Sequence, residues 1–224
     1  MNSVHDAASH LGLSDVRVRQ LINSGALGAE RVGGRWVVSD DALQSYRVGP
    51  AHRPWEPASA WGFVWLLVGR PAPWLTDKQR ERVRRRMADG PLRHAAALGS
   101  RAALITLAAH PSALPRLQSD PGVVRSGLSA AADYAADLVG SEDVFEGYAR
   151  ADDLAKLKKR FVLTESARRP NVRLHAIDKI WPFDPNERLA PAIVVALDLL
   201  ESTDQRTSRA GKDLMQAHEP RSVS

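Results

Sequence analysis

The chain contains no cysteine among its 224 residues. This absence excludes disulfide bonds, zinc sites built on thiolates and catalysis by a cysteine nucleophile. A long apolar run is also missing, because the longest aromatic-rich apolar stretch, WGFVWLLVG at residues 61–69, is far shorter than the roughly 20 residues of a membrane-spanning helix. No early apolar segment resembles a signal peptide. We therefore expect a cytoplasmic protein with no membrane partner.

Motifs typical of enzymes are missing as well. The sequence has no glycine-rich phosphate loop, no nucleophile elbow and no His-x-x-x-His helix pair. The seven histidines are scattered, and His5 and His10 are too far out of phase to share one helical face. His175 alternates with Arg173 on one face of a predicted strand, and we expect its side chain to be exposed.

The acidic residues do not form a catalytic pattern either. Asp152 and Asp153 precede a predicted helix, where carboxylates satisfy the first N–H groups as caps. Asp198 and Glu201 are expected on the polar side of an apolar helix. We therefore predict no catalytic residues, no metal site and no cofactor.

The strongest pattern in the chain extends from Val4 to Tyr46. It contains three predicted helices, each preceded by a serine, which is a preferred N-cap residue: Ser3, Ser14 and Ser39. Gly12 and Gly25 end the first two helices. AERV at 29–32 and RWVV at 35–38 predict two strands joined by Gly33-Gly34, a typical two-residue hairpin turn. This order predicts a winged helix-turn-helix over residues 1–48.

The pattern resembles the excisionase-type helix-turn-helix family, which is related to MerR-type DNA-binding domains. The residues that carry the resemblance are Ala7-Ala8, Leu11-Gly12-Leu13-Ser14, Val18, Leu21-Ile22, Gly25-Ala26-Leu27, Arg31-Val32-Gly33, Arg35-Trp36-Val37-Val38, Leu43 and Tyr46. Arg17 departs from the family, which often has threonine there. The resemblance implies binding to double-stranded DNA.

In such a domain the second helix enters the major groove with its N-terminal half leading, and residues beside the hairpin turn lie near phosphates or the minor groove. The expected DNA-binding residues are Ser14, Arg17, Arg19, Gln20, Asn23, Arg31 and Arg35. Residues 1–50 carry five basic and five acidic side chains, so non-specific affinity should be weak unless the protein binds operator repeats as a dimer. The alternative is a small helical protein–protein module.

The remaining chain predicts an α+β domain. A proline-rich linker, GPAHRPWEP, lies within residues 49–58, and the domain follows at 59–217 with a flexible tail at 218–224. Short helices are predicted in LRHAAALGS, RAALITLAAH, SALPRLQSD and VRSGLSAAADYAADL, and strands in DVFEGYA, FVLTES and VRLHAI. ADDLAKLKKR, APAIVVALDLLES and QRTSRAGKDLMQAH predict further helices. The expected fold is mainly α with α+β.

One predicted helix, beginning with a Thr76–Gln79 capping box, carries five arginines within residues 80–86. Residues 51–110 have a net charge of +6, whereas the whole chain has +5. Two interpretations are open. The helix contacts phosphates or an acidic partner through Arg80, Arg82, Arg84, Arg85 and Arg86, or it is a solvated face with a Glu81–Arg85 pair.

The second domain resembles the antitoxins of the abortive-infection AbiE type, over roughly residues 60–217. The carrying segments are Ser126 to Ala131, Val172-Arg173-Leu174 leading to Trp181-Pro182-Phe183, Ala190 to Ser202, and Asp204 to Leu214. In that family a winged helix represses the protein's own operon, and a C-terminal domain counters a nucleotidyltransferase-like toxin. The excisionase-like wing departs from the usual AbiE-type wing.

Two functions follow from these resemblances. The first is a DNA-binding repressor that is also the antitoxin of a two-gene toxin–antitoxin system. The second is an excisionase-like accessory protein of a mobile element, whose second domain mediates assembly. A third class, a ligand-sensing regulator, has no recognisable pocket residues in its favour.

Overall fold

The computed structural model describes residues 2–11, 14–23, 27–45, 55–134, 143–165 and 170–218. The chain divides into two compact units, Met1–His52 and Arg53–Ser224. None of the described helices combines the length and the apolarity needed to cross a bilayer.

The first unit packs three helices on a small antiparallel sheet. Its elements are β1 (Asn2–Ser3), α1 (Val4–Leu11), α2 (Asp15–Asn23), β2 (Ala29–Val32), β3 (Arg35–Val38) and α3 (Asp40–Ser45). The strand order is β1-β3-β2, so β3 is central. The core consists of Ala7, Ala8, Leu11, Val18, Leu21, Ile22, Leu27, Val38 and Leu43.

Local hydrogen bonds explain why the elements of this unit begin and turn where the sequence predicts. The Ser3 hydroxyl accepts from the Asp6 N–H at 3.1 Å, and the Ser39 hydroxyl accepts from the Ala42 N–H at 3.1 Å, so both serines cap their helices. Gly33 and Gly34 have φ of 56° and 80°, which a two-residue hairpin turn requires. The short strand β1 has no counterpart in the prediction. Gly12, Gly25 and Tyr46 lie outside the described residues.

The second unit is built on a four-stranded sheet. Its helices are α4 (Pro57–Leu67), α5 (Asp77–Met87), α6 (Pro91–Leu98), α7 (Leu114–Gln118), α8 (Leu154–Phe161), α9 (Ala192–Leu200) and α10 (Gln205–His218). Its strands are β4 (Ala103–Leu107), β5 (Val123–Arg125), β6 (Phe145–Arg150) and β7 (Val172–Ile177), in the order β4-β7-β6-β5. The central pair β6–β7 is parallel, and both outer pairs are antiparallel.

The sheet separates two hydrophobic cores, because successive side chains of a strand point to opposite faces. The larger core joins Val124, Tyr148 and Ile177 of the sheet to α4, α6, α9 and α10. The smaller core joins Phe145 and Leu174 to α7 and α8. The unit is therefore a sheet with helices on both sides, and the predicted α+β class is confirmed.

Several boundaries of the second unit differ from the prediction. RAALITLAAH, predicted as a helix, contains β4, because its alternating residues pair with β7 from Ala103↔Ala176 to Leu107↔Val172. Up to Tyr134, VRSGLSAAADYAADL contains the end of β5 followed by 3-10 turns instead of one helix, and its last four residues lie outside the described ones. In FVLTES, Phe161 ends α8 and Thr164 forms only an isolated bridge to Ala108.

The predicted linker also contains a core residue. Trp55 is only 8% exposed and packs edge-on against Phe63, with ring centroids 5.4 Å apart. Helix α4 then begins at Pro57. Residues 46–54 of the chain lie outside the described residues.

Replacing Gly211 by alanine should destabilise the second unit, because the backbone of α9 lies close against α10 at this position. A Cβ at this position would lie 2.8 Å from the Ala196 carbonyl oxygen and 2.8 Å from the Leu200 amide nitrogen, so backbone would have to move. We expect the free energy of unfolding to fall by about 1–3 kcal/mol in urea titrations.

Gly99→Ala is the matched control for this substitution. Gly99 has φ of −57°, and a Cβ there would meet only the Glu201 side chain, at 3.5 Å. Alanine at such a site is neutral or stabilises by about 0.4–1 kcal/mol. Equal stability of the two variants would show that α10 does not need glycine at the contact.

Candidate functional site

Helix α2 has an exposed side opposite its buried stripe. Val18, Leu21 and Ile22 are 0–7% exposed and fix the inward side. At about 100° per residue, the direction opposite this stripe runs through positions 16, 20 and 23, with position 19 beside them. Ser14, Val16 and Arg19 are all exposed. The outward face therefore begins in the first turn of the helix.

The structure describes three of the seven predicted DNA-binding side chains. Ser14 is exposed immediately before α2, Arg19 is exposed on α2, and Arg31 is exposed on β2. The Arg31 guanidinium lies 5.3 Å from the ring centroid of Trp36, its cross-strand partner. This contact holds the exposed Arg31 side chain against the hairpin. The side chains of Arg17, Gln20, Asn23 and Arg35 lie outside the described ones.

Two exposed apolar residues of this unit were missed by the sequence analysis. Val16 on α2 is 63% exposed and Val32 beside the hairpin turn is 53% exposed. All seven residues predicted to contact DNA are polar. A helical projection of α2 would have placed Val16 on the outward face.

The five arginines of α5 do not form one basic surface. Arg80 donates to the carbonyl of Leu75 at 3.3 Å, and the Arg86 guanidinium lies 4.4 Å from the ring centroid of Trp55. Arg82, Arg84 and Arg85 are exposed, and Arg85 lies 3.8 Å from Glu81. Because Arg82 and Arg84 are about 200° apart around the helix, they point to opposite flanks. A contact with phosphates or with an acidic partner requires exposed arginines, and only three of these five are exposed.

A buried polar cluster in the second unit was not predicted. Asp198 on α9 is 1% exposed, and its carboxylate accepts hydrogen bonds from Arg101, Ser126 and the Tyr148 hydroxyl, the last at 2.6 Å. The expectation that Asp198 lies on the polar side of its helix is wrong. Helix α9 is buried on all sides, and Asp198 is the one acidic residue among its nine. Because a buried charge is costly without partners, its carboxylate is paired inside the fold.

His175 belongs to the same cluster, and its predicted exposure is also wrong. It is 2% exposed, and its Nε2 lies 3.1 Å from Glu146 Oε1. Arg173 Nε lies 3.2 Å from the same oxygen. Arg173 and His175 do share one face of the strand, as predicted. However, α9 packs over that face, and the sequence of the strand alone does not predict this packing.

Asp152 and Asp153 also differ from their predicted role. Asp153 is the N-cap residue of α8, yet its side chain makes no capping hydrogen bond and instead accepts from Lys156 at 3.0 Å. Asp152 is exposed in the preceding turn.

The cluster balances its charges when His175 is protonated. Glu146, Asp198 and Glu201 supply three negative charges, and Arg101 and Arg173 supply two positive ones. Burial opposes the protonation of His175, but Asp198 and Glu146 outweigh it and raise the pKa of His175. Burial likewise opposes ionisation of Asp198, but His175 and Arg101 lower its pKa. Burial raises the pKa of Tyr148, which keeps its hydroxyl a donor.

These contacts favour a structural role for the cluster. One possible ligand atom from each of His175, Asp198 and Glu201 lies within 4.8 Å of the other two, a spacing that can hold a metal ion. However, Arg101 already binds Asp198 and donates to Glu201 at 2.6 Å, so a cation would have to displace a buried guanidinium. The hydrogen bonds instead tie α9 to the sheet.

The stability of the chain is expected to fall as the pH rises above about 6.5, the usual pKa of histidine. The pKa of His175 is higher in the folded state than in the unfolded state. Its contribution to the free energy of unfolding is therefore complete below the pKa of the unfolded state and is lost as the pH rises through the pKa of the folded state. Urea titrations across this range should show the slope, and His175→Gln should remove it. An unchanged slope in the variant would exclude His175 as its source.

A cavity of about 380 Å³ lies beside the ends of β4 and β7. Its lining is mostly apolar and includes Glu56, Asp178 and Lys179. Arg101 also lines it, but this guanidinium is already bonded to Asp198 and Glu201. The cavity could hold a ligand, but none of its described lining residues is a buried charge free to bind one. It therefore gives little support to a function as a ligand-sensing regulator.

No protein family, curated protein or solved structure gives a significant match to the chain.

Proposed function

We propose that the chain is a sequence-specific DNA-binding repressor whose first unit is a winged helix-turn-helix and whose reading helix is α2. The observation that carries the proposal is the outward face of α2, where Val16 is exposed opposite a buried stripe and Arg19 is exposed beside it. A recognition helix needs this division, since one side packs on the domain while the other meets base edges.

The hairpin supports the same proposal. Its tip is formed by Gly33 and Gly34, and Arg31 and Val32 beside the tip are exposed. An arginine in this position contacts phosphates or the minor groove next to the reading helix. The neutral charge of residues 1–50 limits non-specific binding, so two or more copies on repeated half-sites are expected.

The test is selection of bound duplexes from a random pool with the full chain. The proposal expects enrichment of one motif, present as a direct or inverted repeat, and tighter binding of that motif than of shuffled duplexes at the same salt concentration. A selected pool no different from the starting pool would overturn it.

The second part of the proposal concerns Arg53–Ser224, which we infer counters a nucleotidyltransferase-like toxin. It rests on the AbiE-type resemblance, whose residues include α9 and α10, a closely packed pair. The exposed Arg82, Arg84 and Arg85 offer contacts to an acidic surface of such a partner.

Co-expression with the product of the adjacent open reading frame tests this part. The antitoxin role expects growth arrest by that product alone and rescue by the full chain. Absence of arrest, or arrest without rescue, would overturn it. An adjacent integrase or relaxase gene would instead favour the excisionase-like accessory role.

A further inference from the structure

Val16 is an apolar side chain at the centre of the proposed reading face. It is the second residue of α2 and is 63% exposed, while Val18 on the same helix is fully buried. Arg19 lies three residues later, on the adjacent part of the same face. Val16 therefore stands in the half of the helix that leads into the major groove.

The unbound protein gains little from valine at this position. A β-branched residue is a poorer helix former than alanine, and at 63% exposure it buries little of its apolar surface. Single exposed valines are common on protein surfaces. Val16 differs from them in its place, directly opposite the buried stripe formed by Val18, Leu21 and Ile22.

The chemistry of the groove restricts what such a side chain can recognise. The edges of the base pairs in the major groove are hydrogen-bond donors and acceptors, with one apolar group among them, the C5 methyl of thymine. Valine has no donor or acceptor, but its branched methyl groups are held in few rotamers and match that methyl group.

From this placement we infer that Val16 selects a thymine by contact with its C5 methyl group, beside a guanine read by Arg19. The inference rests on the proposed DNA-binding function and specifies which bases the helix recognises. Arg19 supplies paired donors for guanine O6 and N7, and Val16 supplies the apolar contact at a neighbouring position. The recognised sequence then contains a thymine and a guanine close together in each half-site.

Uracil differs from thymine only in lacking the C5 methyl group, so its hydrogen-bonding groups in the major groove are the same. In the selected duplex, each thymine is replaced in turn by deoxyuridine, and binding of the full chain is measured by fluorescence anisotropy. We expect one thymine in each half-site at which uracil weakens binding about fourfold, the effect of burying one methyl group.

The variant Val16→Ala should bind the thymine duplex more weakly and lose the difference between thymine and uracil at that position. Val32→Ala is the matched control, since Val32 is an exposed valine of the same unit but lies on the hairpin. It should keep the full thymine–uracil difference. Both positions are exposed, and circular dichroism checks that both variants fold.

The outcomes separate the two proposals. A pool without enrichment overturns the DNA-binding function itself. An enriched motif with no uracil-sensitive thymine, or a Val16→Ala variant that keeps the full difference, overturns only the role of Val16.

Discussion

Replacing Asp198 by alanine is expected to lower the free energy of unfolding by about 3–5 kcal/mol, the usual loss when one partner of a buried ion pair is removed. The carboxylate is 1% exposed and is the shared acceptor for Arg101, Ser126 and Tyr148. Without it, Glu201 is the one ionic partner that the described residues leave to a fully buried guanidinium. The protonated form of His175 also loses one of the two carboxylates that stabilise it.

Urea unfolding followed by tryptophan fluorescence measures this effect well, because five of the six tryptophans lie in Arg53–Ser224. Asp213→Ala is the matched control, since Asp213 is exposed on α10. The double variant Arg101→Met, Asp198→Leu should recover part of the loss, because apolar residues can replace a buried pair when both charges are removed. If Asp198→Ala unfolds at the same urea concentration as Asp213→Ala, the cluster does not hold α9 on the sheet.

The first unit was predicted more closely than the second because its structure is specified locally. Ser3 and Ser39 cap the helices that follow them, and Gly33-Gly34 forms the turn between β2 and β3. These signals act within a few residues, so a sequence pattern contains most of what determines them. The strand β1 depends instead on pairing with the distant β3, and no local signal predicted it.

The buried cluster could not be predicted because its partners come from distant parts of the chain. Arg101 and Asp198 are 97 residues apart, and His175 and Glu146 are 29 residues apart. The strand pattern at β7 shows which residues share a face, but not that α9 covers this face. One signal was available: a single acid in the apolar run AIVVALDLL has to find a buried partner.

Similarly, β4 was mistaken for a helix because ALITL sits among alanines, which favour helices. The segment is a strand because β7 provides a partner along its whole length. Tertiary pairing therefore outweighed local propensity, as it often does for short apolar segments.

Replacing Arg19 by alanine is expected to weaken binding to the selected duplex by about 1–3 kcal/mol, or roughly fivefold to 150-fold. Arg19 is exposed on α2, near the first turn that leads into the groove, and a bidentate contact to guanine is specific for that base. Affinity for the selected motif should fall toward that for duplexes carrying another base at the guanine position. Titrations of both duplexes at one salt concentration measure this change.

Arg116→Ala provides the matched control, because Arg116 is an exposed arginine on α7 in the second unit and its loss removes the same charge. A general electrostatic contribution would lower the affinity for every duplex to a similar extent in both variants. Base reading by Arg19 instead predicts a loss confined to duplexes that carry the guanine. If Arg19→Ala weakens binding to all duplexes equally, Arg19 contacts phosphates, and the base contacts must come from other positions on α2.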